Sequence, residues 1–188
     1  MPWVPGFVSP GTAGWRVYPG LRLADQLSAQ LARICTDKRK ALSKDLARHL
    51  TTIALTLRED RLGALLVVSP SEHTVSRLTR SRRGKVSPAE ALYSRLFVSK
   101  PLCKISPQLV CNAAALDGAI VIDSNGIVRG IGCIFSTGRA RTEAEGARTR
   151  AALFASKNGG VALKISQDGE VSIFSNGIQQ ETFFSPVW

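Results

Sequence analysis

Apolar residues in the first third of the chain recur at helical spacing. Leucine and isoleucine stand at positions 23, 27, 31 and 34, and again at 42, 46, 50, 53 and 57. Residues spaced by three or four positions share one face of a helix. The polar run TDKRK separates the two stretches. The pattern predicts a helical segment of two amphipathic helices over residues 23–58, after an irregular Pro- and Gly-rich lead-in over residues 1–22.

The remainder, residues 59–188, alternates apolar runs with turn signals, which predicts one further domain. RLGALLVVS is typical of a strand buried on both faces. Ser87, Pro88 and Glu90 form a capping-box pattern for a helix that extends to about Phe97.

The C-terminal runs predict hairpins and one more helix. AIVID and IVRGIGCIF flank an Asn-Gly turn, and VALKIS, VSIFS and IQQETFF are joined by Asp-Gly and Asn-Gly turns. ARTRAALFASK predicts a helix that ends at Asn158. Together these elements predict an α/β fold of the mixed-sheet α+β variety, with a central mixed β-sheet flanked by helices and an N-terminal helical extension.

Composition narrows the class of protein. The chain has 188 residues, 44% of them apolar, which suffices for one sizeable core. No apolar run approaches the roughly 18 to 20 residues of a membrane span, and the N-terminus does not have the pattern of a secretory signal. We therefore expect a cytoplasmic protein with no membrane partner. The four cysteines form no CxxC pair, which argues against zinc and a disulfide framework and predicts buried free thiols.

The net charge of +11 is unevenly distributed. Residues 109–188 carry seven basic and seven acidic side chains, so the whole excess lies in residues 1–108. A basic surplus raises nucleic acid as a partner, and the cluster RLTRSRRGK at residues 77–85 is the candidate region. No aromatic-rich strand, recognition-helix pattern or zinc finger accompanies the cluster. A nucleic-acid-binding module is therefore kept as the third hypothesis.

Candidate chemistry lies in the neutral half. Three polar motifs interrupt its apolar runs: Asp117-Gly118-Ala119, Arg148-Thr149-Arg150 and Ser166-Gln167-Asp168. Two arginines at the start of a helix combine guanidinium groups with free backbone N–H groups, an arrangement that binds phosphate. Two aspartates, Asp117 and Asp168, suit a divalent cation held between phosphates. Taken singly, each motif also fits ordinary turn chemistry.

In order and spacing, these motifs resemble those of the diadenylate cyclase domain, the nucleotide-binding fold of the DNA integrity scanning protein and its relatives. The resemblance runs from about Leu62 to Phe174 and is carried by RLGALLVVS, LDGAIVID, GARTRAAL and LKISQDGEVSIFSNG. It implies that two ATP-loaded sites meet across a homo-oligomer. Each 3′-hydroxyl then attacks the other α-phosphate, which gives cyclic di-AMP and two pyrophosphates.

The resemblance also implies a role for each motif residue. Asp117 is the catalytic candidate, near the reacting 3′-hydroxyl, and with Asp168 a ligand for Mg²⁺ or Mn²⁺. Arg148 and Arg150 grip phosphate. The implied nucleotide-binding residues are Asp117, Gly118, Ala119, Arg148, Thr149, Arg150 and Ser166.

Two departures from the family pattern bear on activity. Thr149 stands where the family has histidine, and Ala147 where it has threonine. Loss of one well-placed transition-state donor costs a factor on the order of 10² to 10³ in rate. The leading hypothesis is therefore a catalytically weak or inactive sensor that binds an adenine nucleotide or a cyclic dinucleotide. The alternative is an active diadenylate cyclase.

Overall fold

The structure is a computed structural model. It describes residues 7–11, 14–18, 21–36, 43–69, 71–80, 87–135 and 146–183.

Within these ranges the chain forms six α-helices and eight β-strands. The helices are α1 Leu21–Thr36, α2 Lys44–Glu59, α3 Glu72–Arg80, α4 Pro88–Phe97, α5 Pro107–Ala114 and α6 Ala147–Lys157. The strands are β1 Phe7–Gly11, β2 Gly14–Tyr18, β3 Ala64–Ser69, β4 Ala119–Asp123, β5 Val128–Cys133, β6 Val161–Ile165, β7 Val171–Ser175 and β8 Ile178–Phe183.

A six-stranded mixed sheet with the order β5-β4-β3-β6-β7-β8 forms the centre of the molecule. β3 runs parallel to β4 and antiparallel to β6, and every other neighbouring pair in this sheet is antiparallel. All six residues of β3 are buried, as its unbroken apolar run predicts. The predicted mixed sheet with flanking helices is confirmed.

Helices cover both faces of this sheet. On one face, Leu66 of β3 packs in a core with Leu50 and Leu57 of α2. On the other face, Leu65 of β3 packs in a second core with Ala152 of α6. Successive strand residues alternate between the two cores because side chains in a strand point to opposite faces. The predicted helices of the segment 23–58 are present as α1 and α2.

The predicted irregular lead-in is wrong over its described part. β1 and β2 form a separate two-stranded antiparallel sheet in which Phe7 faces Tyr18 and Pro10 faces Trp15. Proline and glycine argue against a central strand, but both strands of a two-stranded ribbon are edges, where a missing N–H is tolerated. The division of the chain at residue 59 stays a prediction.

Two short helices, α3 and α5, have no counterpart among the predicted elements. The sequence predicts only a polar basic stretch at residues 77–85, whereas α3 already includes residues 77–80 and buries Leu78. The rest of this basic cluster lies outside the described residues. Helices of eight or nine residues span too few turns for the apolar period to be visible in the sequence.

Two further expectations concern thiols and membranes. Cys111 and Cys133 are buried as expected, but Cys103 is exposed on a 3-10 turn. Burial and the nearby charge of Asp60 raise the pKa of the Cys111 thiol to about 11, so this thiol is inert near neutral pH. Among the described helices, none has the length and apolar character needed to cross a membrane.

Candidate functional site

A pocket of about 140 Å³ opens beside α6 and brings most of the predicted site residues together. Its walls come from β3, from the segment that leads into β4, from the end of β5, and from the first turn of α6. The residues that line it are Leu65, Asp117, Gly118, Ala119, Cys133, Ile134, Phe135, Ala147, Arg148, Arg150 and Ala151. Five of the predicted residues, at positions 117, 118, 119, 148 and 150, therefore share one pocket.

Asp117 and Gly118 form a tight turn at the entry to β4. The Gly118 N–H donates a hydrogen bond to Oδ1 of Asp117 at 3.0 Å. Gly118 has a φ of 99°, and a Cβ at this position would lie 2.5 Å from the carbonyl carbon of Gly132 on β5. Glycine is required here for both reasons. The turn holds the exposed Asp117 carboxylate at the rim of the pocket, where it can accept a hydroxyl hydrogen or a cation.

The first turn of α6 supplies the cationic wall. Its N-cap is Gly146, which has no side chain to occupy the free N–H groups of the helix. Arg148 and Arg150 follow within this turn, and both line the pocket. Free backbone N–H groups, the positive end of the helix dipole and two guanidinium groups together form a site suited to phosphate.

Gly63 leaves the space that the Arg148 guanidinium occupies. The sequence did not predict this role. A Cβ on Gly63 would lie 2.6 Å from Nη1 of Arg148 and 3.3 Å from Cγ of Gln167. The Arg148 guanidinium therefore lies against the bare backbone that precedes β3. The glycine in RLGALLVVS is the signal that was available, but its meaning depends on a helix more than 80 residues away.

The remaining wall is apolar and was also missed. Cys133 at the end of β5 and the two residues after it, Ile134 and Phe135, line the pocket, and Ile134 keeps 44% of its surface exposed. The Phe135 ring stacks on Phe154 of α6, with centroids 5.9 Å apart. Ligand pockets commonly combine such apolar walls with a few placed polar groups. This wall suits the ring system of a nucleobase.

Thr149, although predicted to bind nucleotide, does not line this pocket. Its Oγ1 lies 3.5 Å from Nζ of Lys164 on β6. Lys164 forms an ion pair with Glu170 at 3.0 Å, and the Ser172 hydroxyl donates to the same carboxylate oxygen at 2.5 Å. The hydrogen bond from Ser172 and the charge of Lys164 lower the pKa of Glu170 despite its partial burial.

Ser166 and Asp168 belong to the turn between β6 and β7 and, though described, do not line the pocket either. The Ser166 N–H donates to the Glu170 carbonyl at 2.8 Å, and the Glu170 N–H donates to Oδ1 of Asp168 at 3.3 Å. Arg58 of α2 donates to the Gly169 carbonyl at 3.0 Å and holds this turn against the helix. Their contacts here are those of ordinary turn residues.

A divalent cation has one candidate ligand in the pocket. The described part of the chain contains no cluster of three or more His, Cys, Asp or Glu residues. Magnesium bound through nucleotide phosphates needs only one or two protein carboxylates. Asp117 fits that requirement, whereas Asp168 is tied into its turn outside the pocket wall.

Known proteins match the chain by sequence and by fold. The profile of the family described as DisA bacterial checkpoint controller nucleotide-binding matches residues 54–179, about two thirds of the chain. Among curated proteins, no sequence matches significantly.

Two solved structures share the fold. A double mutant of DacA from Staphylococcus aureus has 17% identity and a TM-score of 0.52, with 72% of this chain and 84% of that chain covered. A Bacillus cereus protein, described as a hypothetical membrane spanning protein, has 18% identity and a TM-score of 0.50, with 85% and 88% covered. The pocket residues all lie inside the matched range 54–179.

Proposed function

Because the chain belongs to the DisA checkpoint controller nucleotide-binding family, we propose that its pocket binds ATP or a cyclic dinucleotide and acts chiefly as a sensor. The observation that carries the proposal is the convergence of the Asp117-Gly118-Ala119 turn with Arg148 and Arg150 on one pocket. These groups come from segments about 30 residues apart along the chain.

Different walls of the pocket bind different parts of the nucleotide. The first turn of α6 and its two arginines take the phosphates, since charged hydrogen-bond donors and a helix N-terminus favour anions there. The apolar wall around Phe135 takes the base. Asp117 is the residue that would hold Mg²⁺ or Mn²⁺, and it would lie near the ribose 3′-hydroxyl. The cation, when bound, neutralises phosphate charge.

The orientation of the Thr149 hydroxyl supports weak or absent synthesis of cyclic di-AMP. The Thr149 hydroxyl accepts from Lys164 at 3.5 Å and Thr149 does not line the pocket, which supports a phosphoryl-transfer site without a donor from position 149. Binding still retains both arginines, whereas the transition state lacks one donor, and such a loss costs a factor on the order of 10² to 10³ in rate.

Active synthesis of cyclic di-AMP is the second candidate, and the position of Asp117 favours it. This carboxylate is exposed at the pocket rim, where a metal ion and a 3′-hydroxyl would need it. In this reaction the 3′-oxygen bonds to the α-phosphorus of a second ATP and pyrophosphate leaves. The second ATP must come from another copy of the chain, so we also propose a homo-oligomer.

Calorimetric titration with ATP and with cyclic di-AMP, in the presence of Mg²⁺, tests the binding proposal. Arg148→Met is expected to lower ATP affinity about 10- to 100-fold, since a charge-assisted hydrogen bond contributes about 1.5–3 kcal/mol. Arg95→Met, which removes an exposed arginine of α4 outside the pocket, is the control and should leave affinity unchanged. Absence of binding by the unaltered protein to either nucleotide at millimolar concentration contradicts the proposal.

Incubation with ATP and Mn²⁺ separates the sensor from the enzyme. The sensor forms no cyclic di-AMP above background over hours, as followed by chromatography. Steady product formation that disappears in Asp117→Asn would establish the active cyclase instead.

The proposal places the protein in the cytoplasm, where ATP is abundant and free thiols persist. Binding of nucleic acid through the basic cluster 77–85 stays a prediction.

A further inference from the structure

Lys164 lies beneath the first turn of α6, on the sheet face that this helix covers. It alternates along β6 with Leu163 and Ile165, which belong to the core on the opposite face. Its side chain is only 11% exposed. Its neighbour across the β3–β6 pair is Leu65, a residue of the pocket wall. Lys164 therefore lies on the sheet beside a residue of the pocket wall.

The contacts of Lys164 connect the sheet to the helix. Its Nζ pairs with Glu170 at 3.0 Å and also reaches Oγ1 of Thr149 at 3.5 Å. Ser172, which is fully buried, donates to the same Glu170 carboxylate and fixes its orientation. An ammonium group with so little exposure has to be paired, so this arrangement leaves Lys164 little freedom to move.

Thr149 is the point at which this network meets the phosphate site. It lies between Arg148 and Arg150 in the first turn of α6, a turn whose N-cap Gly146 makes no side-chain hydrogen bond. The contact with Lys164 is a side-chain polar contact between this turn and the sheet. The threonine hydroxyl can accept a hydrogen bond from an ammonium group.

We propose that Lys164 is a positioning residue of the nucleotide site. Through its contact with Thr149, it holds the first turn of α6, and with it Arg148 and Arg150, at the pocket. This inference rests on the proposed function, because it concerns affinity for the nucleotide phosphates. Two arginines on an anchored turn lose less conformational freedom on binding than two on a loose turn.

A double-mutant cycle tests the inference, with ATP and Mg²⁺ affinity measured by calorimetry. Lys164→Met and Thr149→Val are each expected to lower ATP affinity about 3- to 10-fold. The double variant should lose no more than the larger single loss, because both changes break the same tie. Lys164→Arg, which keeps a donor, should stay within about 2-fold of the unaltered protein. Lys157→Met removes one positive charge from the last turn of the same helix and should also stay within about 2-fold.

The outcomes separate the two proposals. If the unaltered protein binds no ATP, the proposed function fails. If it binds ATP but Thr149→Val binds equally well, or if the two single losses multiply in the double variant, the positioning role fails and the proposed function stands. If Lys164→Met does not fold, the ATP affinities of Thr149→Val and Lys164→Arg test the positioning role instead, since both variants keep a cation beside Glu170.

Discussion

At Gly118 the backbone conformation and the space available both exclude a side chain. The left-handed φ of 99° disfavours any other residue, and the backbone of Gly132 on the neighbouring strand occupies the position of a Cβ. The turn that presents Asp117 therefore depends on a close approach of two backbones.

Gly118→Ala is expected to destabilise the protein by about 2–4 kcal/mol, because strain at positive φ and overpacking each cost about 1–3 kcal/mol. Urea unfolding followed by circular dichroism measures the loss. Gly146→Ala is the matched control: it has a φ of −59° and nothing within 4 Å of the added carbon, and should cost less than about 1 kcal/mol. Equal midpoints for Gly118→Ala and the unaltered protein would contradict the argument.

Glu170 makes stability depend on pH in the acid range. Its folded-state pKa lies below the ordinary 4.5, so its stabilising contribution is present above that value and is lost as the pH falls through the folded pKa. Glu170→Gln should lower the free energy of unfolding by about 1–3 kcal/mol at pH 7 and flatten its decline below pH 5.

Urea unfolding between pH 3 and 7 checks this expectation for Glu170. The exposed Glu59, changed to Gln, serves as the control and should leave the pH profile unchanged. A Glu170→Gln variant with the same acid slope as the unaltered protein would show that another carboxylate is responsible.

Elements with strong local signals were predictable from the sequence. The capping box of α4 is present as predicted: the Ser87 N–H donates to Glu90 at 2.7 Å, and the Glu90 N–H donates to the Ser87 hydroxyl at 3.2 Å. The strands joined by Asn-Gly and Asp-Gly turns also form as predicted. In each case the information lies within a few residues along the chain.

Elements and site residues that depend on distant partners were not predictable. A two-stranded ribbon tolerates Pro10, and α3 spans too few turns for a visible period. At the site, the two arginines proposed to bind phosphate follow from a local motif, but their surroundings do not. The orientation of the Thr149 hydroxyl depends on Lys164, 15 residues further along the chain. The position of the Arg148 guanidinium depends on Gly63.

For the whole molecule, α2 belongs to the core on one face of the sheet. Leu50, Ile53 and Leu57 are at most 1% exposed and pack with the apolar residues of β3. Each buried side chain of this size contributes about 1.5–3 kcal/mol, and a typical domain is stable by only about 5–15 kcal/mol. The nucleotide-binding unit therefore depends on α2 for its stability.

A chain that begins at residue 60 is expected to lose cooperative unfolding, whereas one that begins at Ser43 should keep it at a reduced midpoint. The shorter chain lacks α2, and the longer one retains α2 with its Ser43 N-cap, which accepts a hydrogen bond from the Leu46 N–H. Urea titration with near-ultraviolet circular dichroism compares them. A cooperative transition at the full-length midpoint in the shorter chain would show that α2 is dispensable.

The position of β3 at the centre of the sheet has a consequence for the rate of folding. It pairs with β4 about 55 residues later and with β6 about 100 residues later, so two long loops must close before the sheet is complete. Chains dominated by such distant pairings fold slowly. The pocket brings β3 together with the segment that leads into β4, the end of β5 and the first turn of α6, which are distant along the chain. Bound nucleotide therefore stabilises the finished structure and slows its unfolding, and does not accelerate the steps that bring the strands together.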